Sequence, residues 1–271
     1  MTIASNAAGR SGSRGWLASL WRYLPIALFV LAWQLAVTLD LVDRAFLPSP
    51  EATARALWEM IRNGEIAANL VISIYRAFAG LAIGSLLGVA IGLAMATSQR
   101  ADEFFGPLVA TTYSLPKTAL VPLFILWFGI GDVTDIVSVV LACLLPVIVS
   151  TYHAVKAVPP VIVWSAQAMG TPRHLVLWRI LLPGSLLGIF TGVRIALGFC
   201  FVLTISAEMI AAKTGIGKLI FLYGESGAYA HMFGGLLAVV IVAYAADRGL
   251  LATMAYCLRW HDAIHAAHAD A

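Results

Sequence analysis

Charged side chains are scarce in this sequence. Only 11% of its 271 residues are Asp, Glu, Lys or Arg, whereas 61% are hydrophobic, and the mean hydropathy is +0.90. Soluble domains carry about 25% charged residues, so water could not solvate the surface of such a chain. The composition excludes an ordinary soluble protein and indicates one that lies in a lipid bilayer.

The charge balance and the few cysteines exclude further classes. The formal net charge is only +3 and the charges are scattered between apolar runs, which argues against nucleic acid as a partner. Cys143, Cys200 and Cys257 are far apart, each within an apolar run. This spacing fits neither a disulfide framework nor a zinc site, and we interpret the three as small hydrophobic residues. The sequence predicts no catalytic set, no metal and no cofactor.

Long apolar runs predict an all-α, polytopic membrane protein with about six transmembrane helices. A bilayer requires roughly 20 apolar residues per helix, and backbone groups within lipid must be hydrogen-bonded internally. The predicted spans are 23–39, 77–97, 107–128, 133–152, 186–207 and 232–256. Six spans place both termini on the same side of the membrane.

The remaining segments are predicted to be tails and loops around a membrane domain at 23–258. Residues 1–22 are expected to form a flexible cytoplasmic tail. The apolar run that follows is long and lacks the cleavage site of a signal peptide, so we interpret it as a retained first span. Residues 259–271 are expected to form a second cytoplasmic tail. Its His261, His265 and His268 have helical spacing, but no acidic or Cys cluster joins them, so we do not interpret them as a metal site.

The distribution of Lys and Arg predicts the orientation. With the N-terminus in the cytoplasm, nine of them fall in inside segments and six, including Arg76, in outside segments. Positive residues concentrate on the cytoplasmic side of membrane proteins. The sequence therefore predicts that both termini and the long 153–185 segment are cytoplasmic.

Two local patterns predict how helices pack. The second span has glycines four residues apart on one face, where a neighbouring helix can approach closely. These are Gly80, Gly84, Gly88 and Gly92. The 51–63 segment has apolar residues at helical spacing, which predicts an amphipathic helix along the membrane interface.

Charges within spans are the candidates for a translocation path. Lys117 lies between Pro116 and Pro122, which are expected to kink the third span. Arg194 lies roughly 16 Å along the fifth span from Pro183, where a charge costs on the order of 3 kcal/mol. Both must face protein or water.

These cations could attract an anion, or they could be structural and pair with acidic residues. Glu208 is a further candidate for the path, but it lies about 21 Å from Arg194 along the same helix, so the two cannot pair within it. A partner of Arg194 must come from another helix or a second protomer. We favour pairing for Arg194 and leave both interpretations open for Lys117.

The 153–185 segment is too polar to cross the membrane and too rich in helix-forming residues to be an unstructured loop. It predicts a short helix, a corner at Gly170-Thr-Pro172, a second short helix, and Pro183 leading into the fifth span. Gly170 can adopt the left-handed conformation that ends the first helix. A rigid elbow of this kind suits the transmission of force from a soluble partner.

This segment resembles the EAA loop of binding-protein-dependent ABC importer permeases. The family pattern is Glu-Ala-Ala, three residues, Gly, nine residues, Ile, one residue and Leu-Pro. The residues that match at this spacing are Ala166, Gly170, Ile180, Leu182 and Pro183. Segments 46–50, 123–131, 190–198, 207–210 and 215–217 also resemble the nitrate, sulfonate, taurine and bicarbonate permeases, and the likeness extends over about 24–258.

The resemblance implies a fold like that of type I importer permeases and a role without covalent chemistry. It implies a dimer, expected to be a homodimer, with two ATP-binding cassette subunits in the cytoplasm and a periplasmic solute-binding protein outside. The loop would be the coupling helix that docks on the ATPase. Trp164 and Ser165 stand where the family usually has Glu and Ala. An indole can still anchor an interface.

Other functions fit the sequence less well. Gly215-Ile-Gly217-Lys218 lacks the first glycine and the final Ser or Thr of a phosphate-binding loop. An intramembrane enzyme would place a catalytic set within the spans, where the acidic residues look isolated. An ion-gradient-driven secondary transporter or a channel remains the alternative. Such transporters often have two broken helices in inverted repeats, and the sequence shows only one broken helix without an obvious counterpart.

Overall fold

The computed structural model describes residues 12–43 and 46–259. All regular elements within these ranges are helices, which confirms the all-α prediction. In chain order they are α1 (Gly12–Thr38), α2 (Pro50–Arg62), α3 (Glu65–Thr97), α4 (Gln99–Tyr113), a 3-10 turn (Lys117–Leu120), α5 (Val121–Phe128), α6 (Asp132–Lys156), α7 (Pro160–Ala168), α8 (Arg173–Val176), a π-helical stretch (Leu177–Leu181), α9 (Leu182–Ala211), α10 (Ile216–Glu225) and α11 (Tyr229–Cys257).

In the part of the chain that the structure describes, four helices are long and apolar enough to cross a membrane: α3, α6, the continuous Arg173–Ile210 helix and α11. The predicted third span is broken, with α4 and the Lys117–Phe128 helix meeting at 95°. The apolar part of α1, Leu24–Thr38, is shorter than the other spans. The predicted number of six spans is reached only when the broken pair is counted as one span and this shorter helix as another.

The glycine face of α3 lies against α6, as predicted. A Cβ atom at Gly84 would lie 2.9 Å from Cys143 Cβ, and one at Gly88 would lie 2.8 Å from Val147 Cβ. On its other side α6 contacts α9, where a Cβ at Gly192 would lie 2.5 Å from that of Ser150. Because small residues let backbones approach closely, α3, α6 and α9 form the core of the bundle.

That core is apolar and contains two of the cysteines. Cys143 and Cys200 are buried among Ala77, Val139 and Ala196, and both are free thiols. Their interpretation as small hydrophobic residues is confirmed.

The predicted amphipathic helix is α2. It begins at Pro50, and Ser49 caps it by accepting a hydrogen bond from the N–H of Ala52 at 3.1 Å. Met60 is buried against the bundle, whereas Trp58 is exposed. An exposed indole is typical of a helix at the lipid–water interface.

The N-terminal boundary differs from the prediction. The first helix begins at Gly12, so residues 12–22 are helical and not part of a flexible tail. Residues 1–11 of that predicted tail lie outside the described part of the chain. So do 260–271, with the three C-terminal histidines.

Candidate coupling and translocation sites

The elbow predicted for 153–185 is formed by α7 and α8. Gly170 has φ +80°, its N–H donates to the carbonyl of Gln167 at 2.9 Å, and the N–H of Thr171 donates to that of Ala166 at 3.0 Å. This pair of bonds is the Schellman motif, which needs a left-handed residue at its corner. The predicted conformation of Gly170 is confirmed, and it fixes the angle at which the chain leaves α7.

The outer surface of α7 is apolar and exposed. Ala166 is buried against the bundle, while Trp164 is 65% exposed and Met169 78% exposed. Val161 and Ile162 extend the same surface, and Ser165 is also exposed. Exposed apolar side chains gathered on one helix mark a surface that contacts protein or lipid.

The second arm of the elbow is continuous with the α9 span. Ile180 lies in the π-helical stretch, and Leu182 and Pro183 begin α9. Pro183 lies inside this continuous helix, and its missing N–H removes one i→i−4 hydrogen bond next to the π-helical stretch. One continuous helix therefore joins α8 to α9.

Lys117 begins the 3-10 turn that follows the break between α4 and α5. It is half-buried, and its ammonium lies 5.7 Å from the centre of the Tyr113 ring. Among the described residues no carboxylate forms an ion pair with it. The bend of the broken span thus presents a cation that no acid in the described part of the chain neutralises.

Arg194 has an acidic partner on another helix. Its Nε lies 2.6 Å from Oδ1 of Asp247 and its Nη2 lies 3.0 Å from Oδ2, so the guanidinium binds the carboxylate with two hydrogen bonds. The pair joins α9 to α11 beside a groove of about 560 Å³. Asp247 was not predicted, but the location of the partner on another helix agrees with the interpretation favoured for Arg194.

Glu208 lies inside the protein. Its side chain is fully buried, and its carboxylate accepts hydrogen bonds from Ser73 at 2.8 Å, Arg76 at 2.9 Å and the N–H of Gly217 at 2.9 Å. A carboxylate with this many donors is held in place by the fold.

Arg76 is the centre of this buried network. It is 3% exposed, its Nε donates to Asp132 at 2.8 Å, and its Nη1 lies 3.1 Å from Asp135. The same Nη1 donates to the carbonyl of Thr214 at 2.8 Å. The network joins α3, the start of α6 and the end of α9 at one end of the bundle.

The Gly215-Ile-Gly217 turn is shaped by this network. Its three successive N–H groups donate to Asn69, Ser73 and Glu208 at distances of 3.0, 2.9 and 2.9 Å. A Cβ atom at Gly215 would overlap the carboxylate of Glu208. The glycines therefore allow the backbone to reach a carboxylate of the same chain, and they hold α10 in place.

One prediction fails at this network, and Arg76, which was counted in an outside segment, lies within the 33-residue helix α3. The acidic residues were expected to be isolated, but Asp132, Asp135 and Glu208 surround one guanidinium. The spacing of Asn69, Ser73 and Arg76 on one helix face was the signal that could have indicated a polar site.

The same end of the bundle holds a second polar contact outside the spans. The hydroxyl of Tyr223 on α10 donates to Glu65 at 2.7 Å. Burial and this hydrogen bond raise the pKa of Tyr223 to about 12. Tyr223 also stacks on His231, which approaches Glu59 at 3.7 Å, so α10, α11 and α2 are joined.

Comparison with known families gives one match over most of the bundle. The sequence profile described as "Binding-protein-dependent transport system inner membrane component" matches residues 80–247. This range contains the glycine face of α3, the broken span, the elbow and the Arg194–Asp247 pair.

Two curated relatives extend the similarity to nearly the whole chain. The taurine transport system permease protein TauC of Escherichia coli K12 is 32% identical, over 87% of this chain and 88% of its own. The putative aliphatic sulfonates transport permease protein SsuC of the same strain is 33% identical, over 90% and 92%.

Solved structures share the fold. The inward-facing MetNI methionine ABC transporter gives a TM-score of 0.55 at 20% identity, covering 78% of this chain and 98% of the other. An amino acid ABC transporter crystallised with histidines gives 0.59 at 13% identity, covering 75% and 97%. At these identities the likeness concerns the fold alone.

Proposed function

Because the chain belongs to the family of inner-membrane components of binding-protein-dependent transport systems, and so is an ABC importer permease, we propose that it forms the translocation path for a small sulfonate. The observation that carries the substrate class is the similarity to permeases named for taurine and aliphatic sulfonates, at about 30% identity over most of the chain. The sulfonate group is anionic at neutral pH, so a cation along the path would attract it.

The proposed complex contains two copies of this chain, two ATP-binding cassette subunits and a periplasmic binding protein. ATP hydrolysis takes place on the separate subunits, so this chain is not itself an enzyme. The apolar surface of α7, with Trp164 at its centre, is the proposed docking site for the ATPase. Large exposed aromatic side chains are typical anchors of such interfaces.

The elbow supports a mechanism for coupling. ATP binding closes the ATPase pair and moves α7, the Schellman corner transfers that motion to α8, and the continuous helix carries it to α9. Arg194 then carries it to α11 through Asp247, and Glu208 carries it to α3 through Arg76. The dimer cavity would switch from inward-facing to outward-facing.

Lys117 is the proposed cation of the path. It lies at the bend of the broken span, where backbone irregularity is tolerated only beside protein or water. Arg194 contributes less positive potential, because Asp247 neutralises it at hydrogen-bond distance.

The proposed orientation has both termini and the elbow in the cytoplasm. A chain with its three native cysteines replaced by alanine and one cysteine placed at Thr171 tests it with a membrane-impermeant maleimide. We expect labelling in inverted vesicles but not in intact cells. Labelling in intact cells would contradict both the orientation and the coupling role.

The substrate class is tested on the purified complex in proteoliposomes. We expect the binding protein loaded with taurine or an alkylsulfonate to stimulate ATP hydrolysis, and the same protein without ligand to stimulate it less. Stimulation by nitrate or bicarbonate but by no sulfonate would contradict the proposed substrate. A complex whose rate of ATP hydrolysis does not change when the binding protein is added would contradict the importer assignment.

A further inference from the structure

A cavity of about 690 Å³ lies between the elbow and the ends of the spans. One wall is α7, with Trp164 and Gln167, and the opposite wall is the end of α3 and α6. The apolar docking surface of α7 includes residues that do not line this cavity, among them Ile162 and Met169.

The polar lining of the cavity is positive. Lys156 and Arg173 contribute two charges, and the His174 imidazole adds a hydrogen-bonding group. No Asp or Glu is among the described residues that line it, and within the described chain neither Lys156 nor Arg173 has an acidic partner. Lys156 instead lies 5.7 Å from the centre of the Tyr152 ring. The cavity therefore has positive charge that nothing in the described chain neutralises.

Apart from Thr97, Trp164 and Gln167, the rest of the lining is apolar and mostly aliphatic. Val155, Val158 and Val176 are buried and form its floor together with Leu177 and Leu181. A small hydrophilic anion would gain nothing from these side chains. A ligand with an anionic group joined to a hydrocarbon chain would contact both parts of the lining.

The level of the cavity along the bundle indicates the source of such a ligand. Thr97 is the last residue of α3 and Lys156 is the last residue of α6, and both line the cavity. Membrane spans end where the hydrocarbon core gives way to the lipid headgroups. Basic pockets between helices at this level bind anionic headgroups.

We propose that this cavity binds the headgroup of an anionic phospholipid, with Lys156 and Arg173 contacting the phosphate and an acyl chain following the aliphatic floor. The bound lipid fills the space between α7 and the span ends, and it contacts Trp164, so it supports the docking surface of the coupling helix from within the elbow. The proposal rests on the proposed function in its assignment of α7 as the coupling helix and in the cytoplasmic orientation of the elbow.

The test is direct lipid binding to the purified complex with its ATPase subunits, without nucleotide or transport substrate. The complex is delipidated, titrated with cardiolipin or with phosphatidylcholine, and examined by native mass spectrometry. The test variant is Lys156→Gln/Arg173→Gln. The matched control is Arg100→Gln/Arg179→Gln, which removes the same charge from exposed residues on the same end of the bundle that do not line the cavity.

The wild-type complex should bind cardiolipin in preference to phosphatidylcholine. One cation near an anionic lipid surface is worth about a fivefold change in binding, so the test variant should bind roughly 25-fold more weakly. The control should bind like the wild type. Wild-type affinity in the test variant, or an equal loss in the control, would overturn the proposal.

A competition with phosphate and the behaviour of the wild type alone cover the remaining outcomes. Inorganic phosphate should not displace the lipid, and complete displacement by phosphate would mean that the site takes a soluble anion. If the test variant does not assemble, the wild type alone decides, because a wild-type complex without preference for cardiolipin contradicts the proposal. Binding is measured without transport, so an absence of sulfonate uptake would leave this result intact.

Discussion

Arg76 and Glu208 lie 2.9 Å apart in the interior of the bundle, 3% and 0% exposed, although 132 residues separate them along the chain. Each has further partners, Asp132 and Asp135 for the guanidinium, Ser73 and the N–H of Gly217 for the carboxylate. This pair holds α3 and α9 together and fixes the turn that leads into α10. It is the only described ion pair in which both side chains are more than nine-tenths buried, apart from the contact of the same Arg76 with Asp135.

Arg76→Met should destabilise the complex severely. Removal of one partner of a buried ion pair leaves the other charge uncompensated and costs about 3–5 kcal/mol. The measurement is thermal unfolding of the detergent-purified complex. The double variant Arg76→Met/Glu208→Met should lose less stability than the two single variants lose together, because neither position then carries an unpaired charge.

Ser85→Ala is the control for that experiment. Its hydroxyl lies on α3 and is buried with no hydrogen-bond partner in the described chain, so its loss should leave the melting temperature nearly unchanged. Arg76→Met with the stability of the wild type would contradict the structural role of the network.

Gly84→Ala should weaken the contact between α3 and α6. The added Cβ would lie 2.9 Å from both Cys143 Cβ and the carbonyl oxygen of Val140, and the backbone cannot yield as a flexible side chain can. Overpacking of this kind costs about 1–3 kcal/mol, which should lower the melting temperature of the complex.

Gly249→Ala makes the same change on α11, where nothing lies within 4 Å of the added atom. It should be neutral or slightly stabilising, because Ala is favoured over Gly within a helix by about 0.5–1 kcal/mol. Equal melting temperatures for the two variants would refute the close approach of α3 to α6.

Gly170→Val should uncouple ATP hydrolysis from uptake while the complex still assembles. Nothing lies within 4 Å of a Cβ at this position, so the variant creates no clash, but φ +80° strongly disfavours a β-branched residue. Gly170→Asn should retain more uptake, because Asn tolerates the left-handed region. Substrate uptake per ATP hydrolysed is the quantity to compare, and normal coupling in Gly170→Val would exclude a fixed elbow.

Lys117→Gln and Arg194→Gln should have different effects. Lys117 has no acidic partner in the described chain, so its loss should reduce uptake of the anion and leave the complex assembled, with ATPase activity still stimulated by the binding protein. Loss of Arg194 leaves Asp247 unpaired and should reduce the yield of assembled complex. Lys218→Gln, on α10, is the control, because it removes one positive charge outside the proposed path and should leave uptake unchanged. Wild-type uptake in Lys117→Gln would remove this residue from the path.

Local patterns made part of this structure predictable. Four spans follow from continuous apolar runs, the contact of α3 with α6 from glycines four residues apart, and the corner at Gly170 from Gly, Thr and Pro in succession. Each is encoded by neighbours in sequence, and composition is enough to find it.

The charged contacts were not predictable in the same way. Asp132 lies 56 residues from Arg76, and Asp247 lies 53 residues from Arg194. Several acids could satisfy each cation, and only the packing of α3, α6, α9 and α11 decides between them. The 95° break of the third span was indicated by Pro116 and Pro122, but its angle depends on contacts with α6 and α9.

The most direct test of the account is ATP-dependent uptake of radiolabelled taurine by proteoliposomes that contain the complete complex, with loaded binding protein on the outside. We expect uptake that requires ATP inside the vesicles, persists when ionophores collapse proton and sodium gradients, and stops when the ATPase subunits are inactivated. Uptake that continues without ATP and disappears with the ion gradients would contradict it and favour a secondary transporter.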